Sequence, residues 1–148
     1  MHRLQIQLGF VLLLLSLMTG LAVPAFPVPR LGLAAHLAGI TGALVVIAVG
    51  ALAGFFTLGA RSARIMRWSW VYAAYANWLG CLIGATTGAS RLTPIAGAGH
   101  AGDAVSEAVV QFLLVSLSLA AISGTAIAIW GLRKTDRVPA PQTVPTAV

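Results

Sequence analysis

Four apolar blocks follow one another along this chain, and they constrain its fold more than any other feature. The blocks cover approximately residues 4–23, 32–58, 70–89 and 105–132. A helix needs about 20 apolar residues to cross the hydrocarbon core of a bilayer, and each block is long enough. Lipid offers no hydrogen-bond partner to the backbone, so each block must satisfy its own amides as a helix. The sequence therefore predicts an all-α integral membrane protein whose four transmembrane helices form a bundle within residues 1–134.

The composition excludes a soluble surface. Hydrophobic residues make up 59% of the chain and charged residues 8%, whereas soluble domains carry about 25% charged residues. The net charge of +6 comes from Lys and Arg at the ends of the apolar blocks rather than from a continuous stripe. We therefore expect the lipid bilayer, and not nucleic acid, as the partner of these cations.

The distribution of Lys and Arg predicts how the chain is oriented. Seven lie on one side of the predicted bundle: Arg3, Arg61, Arg64, Arg67, Arg133, Lys134 and Arg137. The other side has only Arg30 and Arg91. The positive-inside rule makes the seven-charge side cytoplasmic, so both termini are expected in the cytoplasm, in a bacterial-type inner (plasma) membrane. Residues 135–148, rich in proline, are expected to form a disordered cytoplasmic tail.

The first block allows a second interpretation, a cleaved signal peptide. His2 and Arg3 precede an apolar run that ends near Val23, Pro24 and Ala25, which is the order of regions in such a peptide. The run is long for the apolar region of a signal peptide, and cleavage would leave three spans.

The joints between the blocks contain residues that typically end or cap helices. Three prolines between residues 24 and 29 predict a first joint without helix, because each fixes φ and disfavours helix in the preceding residue. Asp103 is placed to cap the last helix. Glu107 falls one turn later, where either solvation or function would account for it.

Small and polar residues at helical spacing identify the faces that contact protein, since lipid is as apolar as leucine. One such face on the second block consists of His36, Gly39, Ala43, Gly50 and Gly54. One on the third block consists of Ala73, Asn77, Gly80, Gly84 and Gly88. An ionisable side chain on a protein-facing surface within the membrane is a functional candidate. A structural role for His36, or simple interhelical bonding by Asn77, remains open at this point.

The residue inventory excludes several chemistries. Neither GxSxG nor HExxH is present, which argues against serine and zinc hydrolases. No carboxylate lies in the middle of a block, which argues against a small proton-coupled transporter. Cys81 is the only cysteine, so neither an intramolecular disulfide nor a c-type haem attachment motif can form. His36 could supply one axial ligand to a haem iron and leave the sixth position open to a substrate heteroatom.

Four runs of sequence resemble the hydroxylaminobenzene mutases. They are LMTGLAVP at 17–24, PRLGLAAHLAG at 29–39, YANW at 75–78 and PIAGAGH at 94–100. Their order and spacing are kept over approximately residues 9–133. The resemblance implies isomerisation of hydroxylaminobenzene to 2-aminophenol with no net redox change.

The mutases are similar, more distantly, to styrene oxide isomerase. That similarity implies a trimer with haem b at the subunit interfaces, held by a histidine at the head of the second helix. His36 matches that histidine, and Asn77 matches an asparagine on the third helix. Gly42 stands where the styrene enzyme has a catalytic asparagine, and its catalytic tyrosine aligns near Cys81, so epoxide isomerisation is less expected here.

The working hypothesis is a haem-dependent isomerase of a small apolar aromatic substrate, forming homo-oligomers. His36 is the expected haem ligand, Asn77 and Tyr75 are candidates to orient the substrate, and Thr41 is a weaker candidate. The alternatives are a non-enzymatic accessory subunit of a membrane complex, an epoxide isomerase of the styrene oxide type, and a small transporter.

Overall fold

The computed structural model describes residues 2–133 and is helical, with no β-strand in that range. Its helices are α1 (His2–Ala22), α2 (Pro29–Ala51), α3 (Ala60–Thr87), the single turn α4 (Pro94–Gly97) and α5 (Ala104–Gly131). Two short 3₁₀ turns, Val23–Ala25 and Ala53–Phe55, follow α1 and α2. The all-α prediction is confirmed, while the predicted tail at 135–148 lies outside the described residues.

Three segments are long and apolar enough to cross a membrane: Arg3–Ala25, Pro29–Ala51 and Ala104–Gly131. These apolar helices confirm the character of a membrane protein. α3 is as long as α5, at 28 residues, but its arginines, tyrosines and Asn77 make it less apolar. Three of the four predicted spans are therefore identified by length and composition.

The helix ends differ from the predicted blocks for local reasons. α2 begins at Pro29, because the first helical position needs no amide donor and favours the φ of proline. The prediction that helix is excluded throughout the first joint is therefore wrong at its last residues. α2 ends at Ala51, so Gly54 lies in a separate turn and not on the α2 face. α3 begins at Ala60, ten residues before the third apolar block.

The helices pack mainly as neighbours in sequence. α1 contacts α2, α2 contacts α3 and α3 contacts α5, while α1 makes a smaller contact with α3. Among residues 2–133, α1 and α5 make no contact of comparable extent, so the closed bundle is not confirmed. The principal core joins α1, α2 and α3 through Leu12, Ala43, Val46, Val71 and Ala74.

Two carboxylates organise the joint between α3 and α5. Asp103 caps α5 as predicted, accepting hydrogen bonds from the amides of Val105 and Ser106. The hydrogen bonds from Ser106 and then Val105 hold the pKa of Asp103 below its ordinary value. Glu107 is only 6% exposed and accepts from three backbone amides, those of Ser90, Arg91 and Gly102. Glu107 therefore has a structural role in holding the joint.

Candidate functional site

His36 lies half-buried on α2 and turns its ring toward α1. Its Nδ1 is 2.7 Å from the carbonyl oxygen of Ser16. A carbonyl oxygen only accepts, so Nδ1 must carry the proton and donate it. In the neutral ring, Nε2 then keeps its lone pair. Histidines that bind metals are commonly oriented in this way, by a hydrogen bond from the other ring nitrogen.

Gly20 provides the space for this contact. A Cβ added at Gly20 would lie 2.5 Å from Nδ1 and 2.6 Å from Cε1 of His36. Any larger residue would push the imidazole away from the α1 backbone. Gly20 therefore leaves the room that the ring needs to make this hydrogen bond.

A second glycine allows α2 to approach both neighbouring helices at this level. A Cβ at Gly39 would collide with the Ser16 side chain and would lie 2.8 Å from Cδ1 of Trp78. The Ser16 hydroxyl is turned away from His36, donating to the carbonyl oxygen of Leu12 at 2.7 Å. Three helices thus meet beside the imidazole.

Trp78 connects α3 to α1 by a hydrogen bond where the three helices meet. Its Nε1 donates to Oγ1 of Thr19 at 3.1 Å, and that hydroxyl donates to the carbonyl oxygen of Leu15 at 2.8 Å. Sequence reasoning did not identify Trp78 or Thr19 as supports of the site. Both fall within runs that carry the resemblance, which was the only signal available.

Tyr75 is also directed toward α1. Its hydroxyl donates to the carbonyl oxygen of Leu8 at 2.9 Å. To reach a substrate, this hydroxyl would first have to give up that bond.

Asn77 and Thr41 lie together on a different surface. They line a groove of about 190 Å³ between α2, α3 and α5. Other lining residues include Gly42, Ala74, Trp70 and Leu117. Neither His36 nor Tyr75 lines this groove. The structure therefore brings two of the four predicted site residues together and directs the other two toward α1.

The polar side-chain atoms of Asn77 and Thr41 make few hydrogen bonds. Oδ1 of Asn77 accepts one weak hydrogen bond, from Sγ of Cys81 at 3.9 Å. The Thr41 hydroxyl donates to its own helix, at the carbonyl oxygens of Leu37 and Ala38, and keeps its lone pairs. An amide and a hydroxyl at the wall of an apolar groove suit an aromatic molecule with one polar substituent.

The donor set bears on which cofactor would fit. Within residues 2–133, no three His, Cys, Asp or Glu side chains converge to hold a metal ion. A single imidazole with a fixed Nδ1 proton is the donor that haem takes from a protein as an axial ligand. His36 therefore fits a haem iron better than a metal ion held by side chains alone.

Comparisons with known proteins agree with one another. The family model described as styrene oxide isomerase matches residues 1–133. Hydroxylaminobenzene mutase HabB of Ectopseudomonas oleovorans is 40% identical over 132 residues, which is 88% of this chain and 80% of HabB. Hydroxylaminobenzene mutase HabA of the same organism is 40% identical over 125 residues, 84% of this chain and 93% of HabA. No solved structure matches significantly.

These matches confirm the resemblance that the sequence runs indicated. The family-model match covers every helix described above, and the names of the family and of both relatives denote isomerases or mutases. The chain therefore belongs to the styrene oxide isomerase family and is an isomerase of the mutase kind.

Proposed function

We propose that this chain is a multi-pass inner-membrane mutase that converts aromatic hydroxylamines into aminophenols, with haem b held by His36. The observation that carries the proposal is the hydrogen bond from Nδ1 of His36 to Ser16, which leaves Nε2 as a lone-pair donor. The two mutases at 40% identity support the choice of substrate class.

The reaction needs no external oxidant or reductant. The N–O bond breaks, a C–O bond forms at the ortho carbon, and the ortho proton ends on nitrogen. Ferric haem, when bound, would supply Lewis-acid polarisation of the N–O bond. Every atom of the substrate is kept, as an isomerase requires.

The residues of the chain would hold and orient the reactants. Ser16 and Gly20 fix the His36 ring, so the ligand is oriented before any substrate arrives. The amide of Asn77 can donate to and accept from an NH–OH group, and the Thr41 hydroxyl can accept from it. We assign Tyr75 to positioning α1, because its hydroxyl is bonded to Leu8.

The separation of His36 from the groove favours a homo-oligomer. His36 is directed toward α1, whereas Asn77 and Thr41 line the groove between α2, α3 and α5. In the ring of identical copies that we propose, His36 of one protomer would face the groove of the next. We favour a trimer, as the family resemblance implies.

Four spans with both termini in the cytoplasm are part of the proposal. The carbonyl oxygen of Gly131, at the end of α5, accepts from Thr57 just before α3. Glu107, at the start of α5, accepts from Ser90 just after α3. α3 and α5 therefore run antiparallel over their full lengths, which supports α3 as a fourth crossing beside an apolar one.

An epoxide isomerase of the styrene oxide type is the second candidate, and the family model favours it. The packing at Gly42 argues against it. A Cβ at Gly42 would lie 2.9 Å from Cβ and 3.2 Å from Cα of Ala74. An asparagine side chain there would have to separate α2 from α3.

Turnover by the purified full-length chain distinguishes these functions. We expect conversion of hydroxylaminobenzene to 2-aminophenol, with styrene oxide turned over much more slowly. The opposite preference would establish the epoxide isomerase. Turnover of neither substrate by protein of full helical content would contradict both and favour the accessory subunit.

A further inference from the structure

The groove that contains Asn77 is longer than one polar group needs. It is lined on α3 by Trp70, Ala73, Ala74 and Asn77. Asn77 and Trp70 are seven residues apart, which is ~10 Å along a helix axis, or about two turns. Asn77 supplies an amide at one end, whereas the other three residues supply methyl groups and an indole ring. The groove therefore has a polar end at Asn77 and an apolar end at Trp70.

Contacts of α2 with α3 show which α2 residue lies at the apolar end. A Cβ added at Gly39 would lie 2.8 Å from Cδ1 of Trp78, and one added at Gly42 would lie 2.9 Å from Cβ of Ala74. Rising residue numbers on α2 therefore face falling numbers on α3, as in antiparallel helices. Val45, which also lines the groove, consequently lies nearer the apolar end than Gly42 does.

The remaining side of the apolar end is supplied by α5. A Cβ added at Gly124 would lie 3.1 Å from Nε1 and 3.2 Å from Cδ1 of Trp70, whereas one added at Gly80 would lie 3.5 Å from Cδ2 of Leu114. α5 therefore also runs antiparallel to α3, and Gly124 leaves room for the indole against α5. Ala121 lines the groove and precedes Gly124 by less than one turn. Ala121 therefore lies at the apolar end, close to the Trp70 wall.

The groove has more space than one unsubstituted ring needs. Its volume is about 190 Å³, whereas an apolar cavity of ~150 Å³ already holds benzene. Two residues around the apolar end, Ala73 and Ala121, carry only a methyl group, so they fill little of this space. None of the described residues that line the groove is charged. The additional room therefore suits a small uncharged substituent on the ring.

We propose that the apolar end of the groove receives the para substituent of an aromatic hydroxylamine, and that Ala121 limits the size of this substituent. The inference rests on the proposed function, in which Asn77 orients the hydroxylamino group. From that group, the ring and its para substituent extend ~5 Å, about one helical turn, which reaches the level of Ala73 and Ala121. Trp70 then forms the wall beyond the substituent.

The lining also decides which para substituents are accepted. An ethyl group gains apolar contact with Val45, Ala121 and the Trp70 ring, and burying its carbons is favourable. A carboxylate would lose its hydration and would find no cation among the lining residues. The groove therefore favours hydroxylaminobenzenes with a small alkyl group in the para position over 4-hydroxylaminobenzoate.

The test compares kcat/KM for hydroxylaminobenzene and its 4-ethyl derivative in the full-length protein. We expect the wild-type chain to accept both, and Ala121→Leu to lower kcat/KM for the 4-ethyl substrate about 10- to 100-fold relative to hydroxylaminobenzene. Ala126→Leu is the matched control and should leave this ratio unchanged, since Ala126 is exposed on α5 and does not line the groove. Val45→Ala enlarges the apolar end and should favour a larger, 4-isopropyl substrate.

Two results with these variants would overturn the inference. One is an equal ratio of the two substrates in Ala121→Leu and Ala126→Leu. The other is turnover of 4-hydroxylaminobenzoate at the rate of the 4-ethyl substrate. If Ala121→Leu does not fold, Val45→Ala decides, because no relative gain for the 4-isopropyl substrate would contradict the inference.

Binding of unreactive 4-ethylaniline separates this inference from the proposed function. Its saturable binding to the full-length protein, measured by equilibrium dialysis, should weaken in Ala121→Leu but not in Ala126→Leu. If this difference is found while no hydroxylamine is turned over, the proposed function fails and the apolar end still binds para substituents. Equal affinity in both variants would overturn the inference even if hydroxylaminobenzene is turned over.

Discussion

The two sides of α2 differ in how firmly the polar side chains found there are held. On the side of α1, His36 is bonded to Ser16, enclosed by Gly20 and flanked by the Trp78–Thr19 hydrogen bond. On the side of α5, Asn77 and Thr41 face an open groove with few bonds to other helices. A cofactor ligand benefits from a fixed orientation, and a groove for a changing substrate needs polar atoms that are free to bind. In the function that we propose, the first surface holds the cofactor and the second binds the substrate.

Of the changes that test this comparison, removing the imidazole of His36 should have the largest effect. We expect His36→Ala to lose both haem and activity, because it removes the imidazole that we propose as the axial ligand. The measurement is turnover of hydroxylaminobenzene, together with haem content per protomer. A variant that folds, keeps its haem and stays active would show that His36 is not the haem ligand.

Crowding the ring without removing it should have the next largest effect. Gly20→Ala places a methyl 2.5 Å from Nδ1, so we expect haem affinity to fall by about 10- to 100-fold, as for other partners that orient a metal ligand. Gly54→Ala is the matched control, since a Cβ at Gly54 would meet nothing within 4 Å. Equal haem affinity in both variants would show that ring orientation is unimportant.

The groove should affect turnover but not haem content. We expect Asn77→Leu to lower kcat/KM by on the order of 100-fold, because it removes polar contacts to the reacting group, while the haem spectrum is retained. If neighbouring protomers complete the site, co-expressing Asn77→Leu with His36→Ala should restore part of the activity. Failure of the mixture, with both chains present in one oligomer, would place the two residues in the same protomer's site.

The smallest effect is expected at Tyr75. Tyr75→Phe removes the hydrogen bond to Leu8 and should lower the free energy of unfolding by about 1 kcal/mol, with little change in activity per bound haem. Denaturant unfolding and turnover of the same preparation would check this. A large loss of kcat with unchanged stability would instead make Tyr75 a catalytic residue.

Much of the fold is predictable from residue patterns, and the reasons for the failures are local. Long apolar runs predict α1, α2 and α5, and Asp103 predicts the start of α5. The start of α3 was missed because residues 60–69 contain three arginines and no apolar run, although they continue the same helix. The end of α2 was placed too late because the residues after Ala51 remain apolar after the helix has ended.

The residues of the candidate site were predictable from the sequence, but their arrangement in space was not. Helical spacing placed His36 and Asn77 on protein-facing surfaces, but spacing within a helix does not reveal which neighbour it meets. His36 and Tyr75 bond to the backbone carbonyls of Ser16 and Leu8. A backbone carbonyl cannot be recognised from the pattern of side chains. The burial of Glu107 likewise depends on amides from a distant joint.

The absorption spectrum of the full-length protein, purified in detergent and titrated with hydroxylaminobenzene, tests the central claim most directly. We expect a Soret band whose intensity is proportional to the amount of protein, and a shift of that band when substrate is added. Active protein without a Soret band, or a band that substrate leaves unchanged during turnover, would contradict haem on His36 as the site of the reaction.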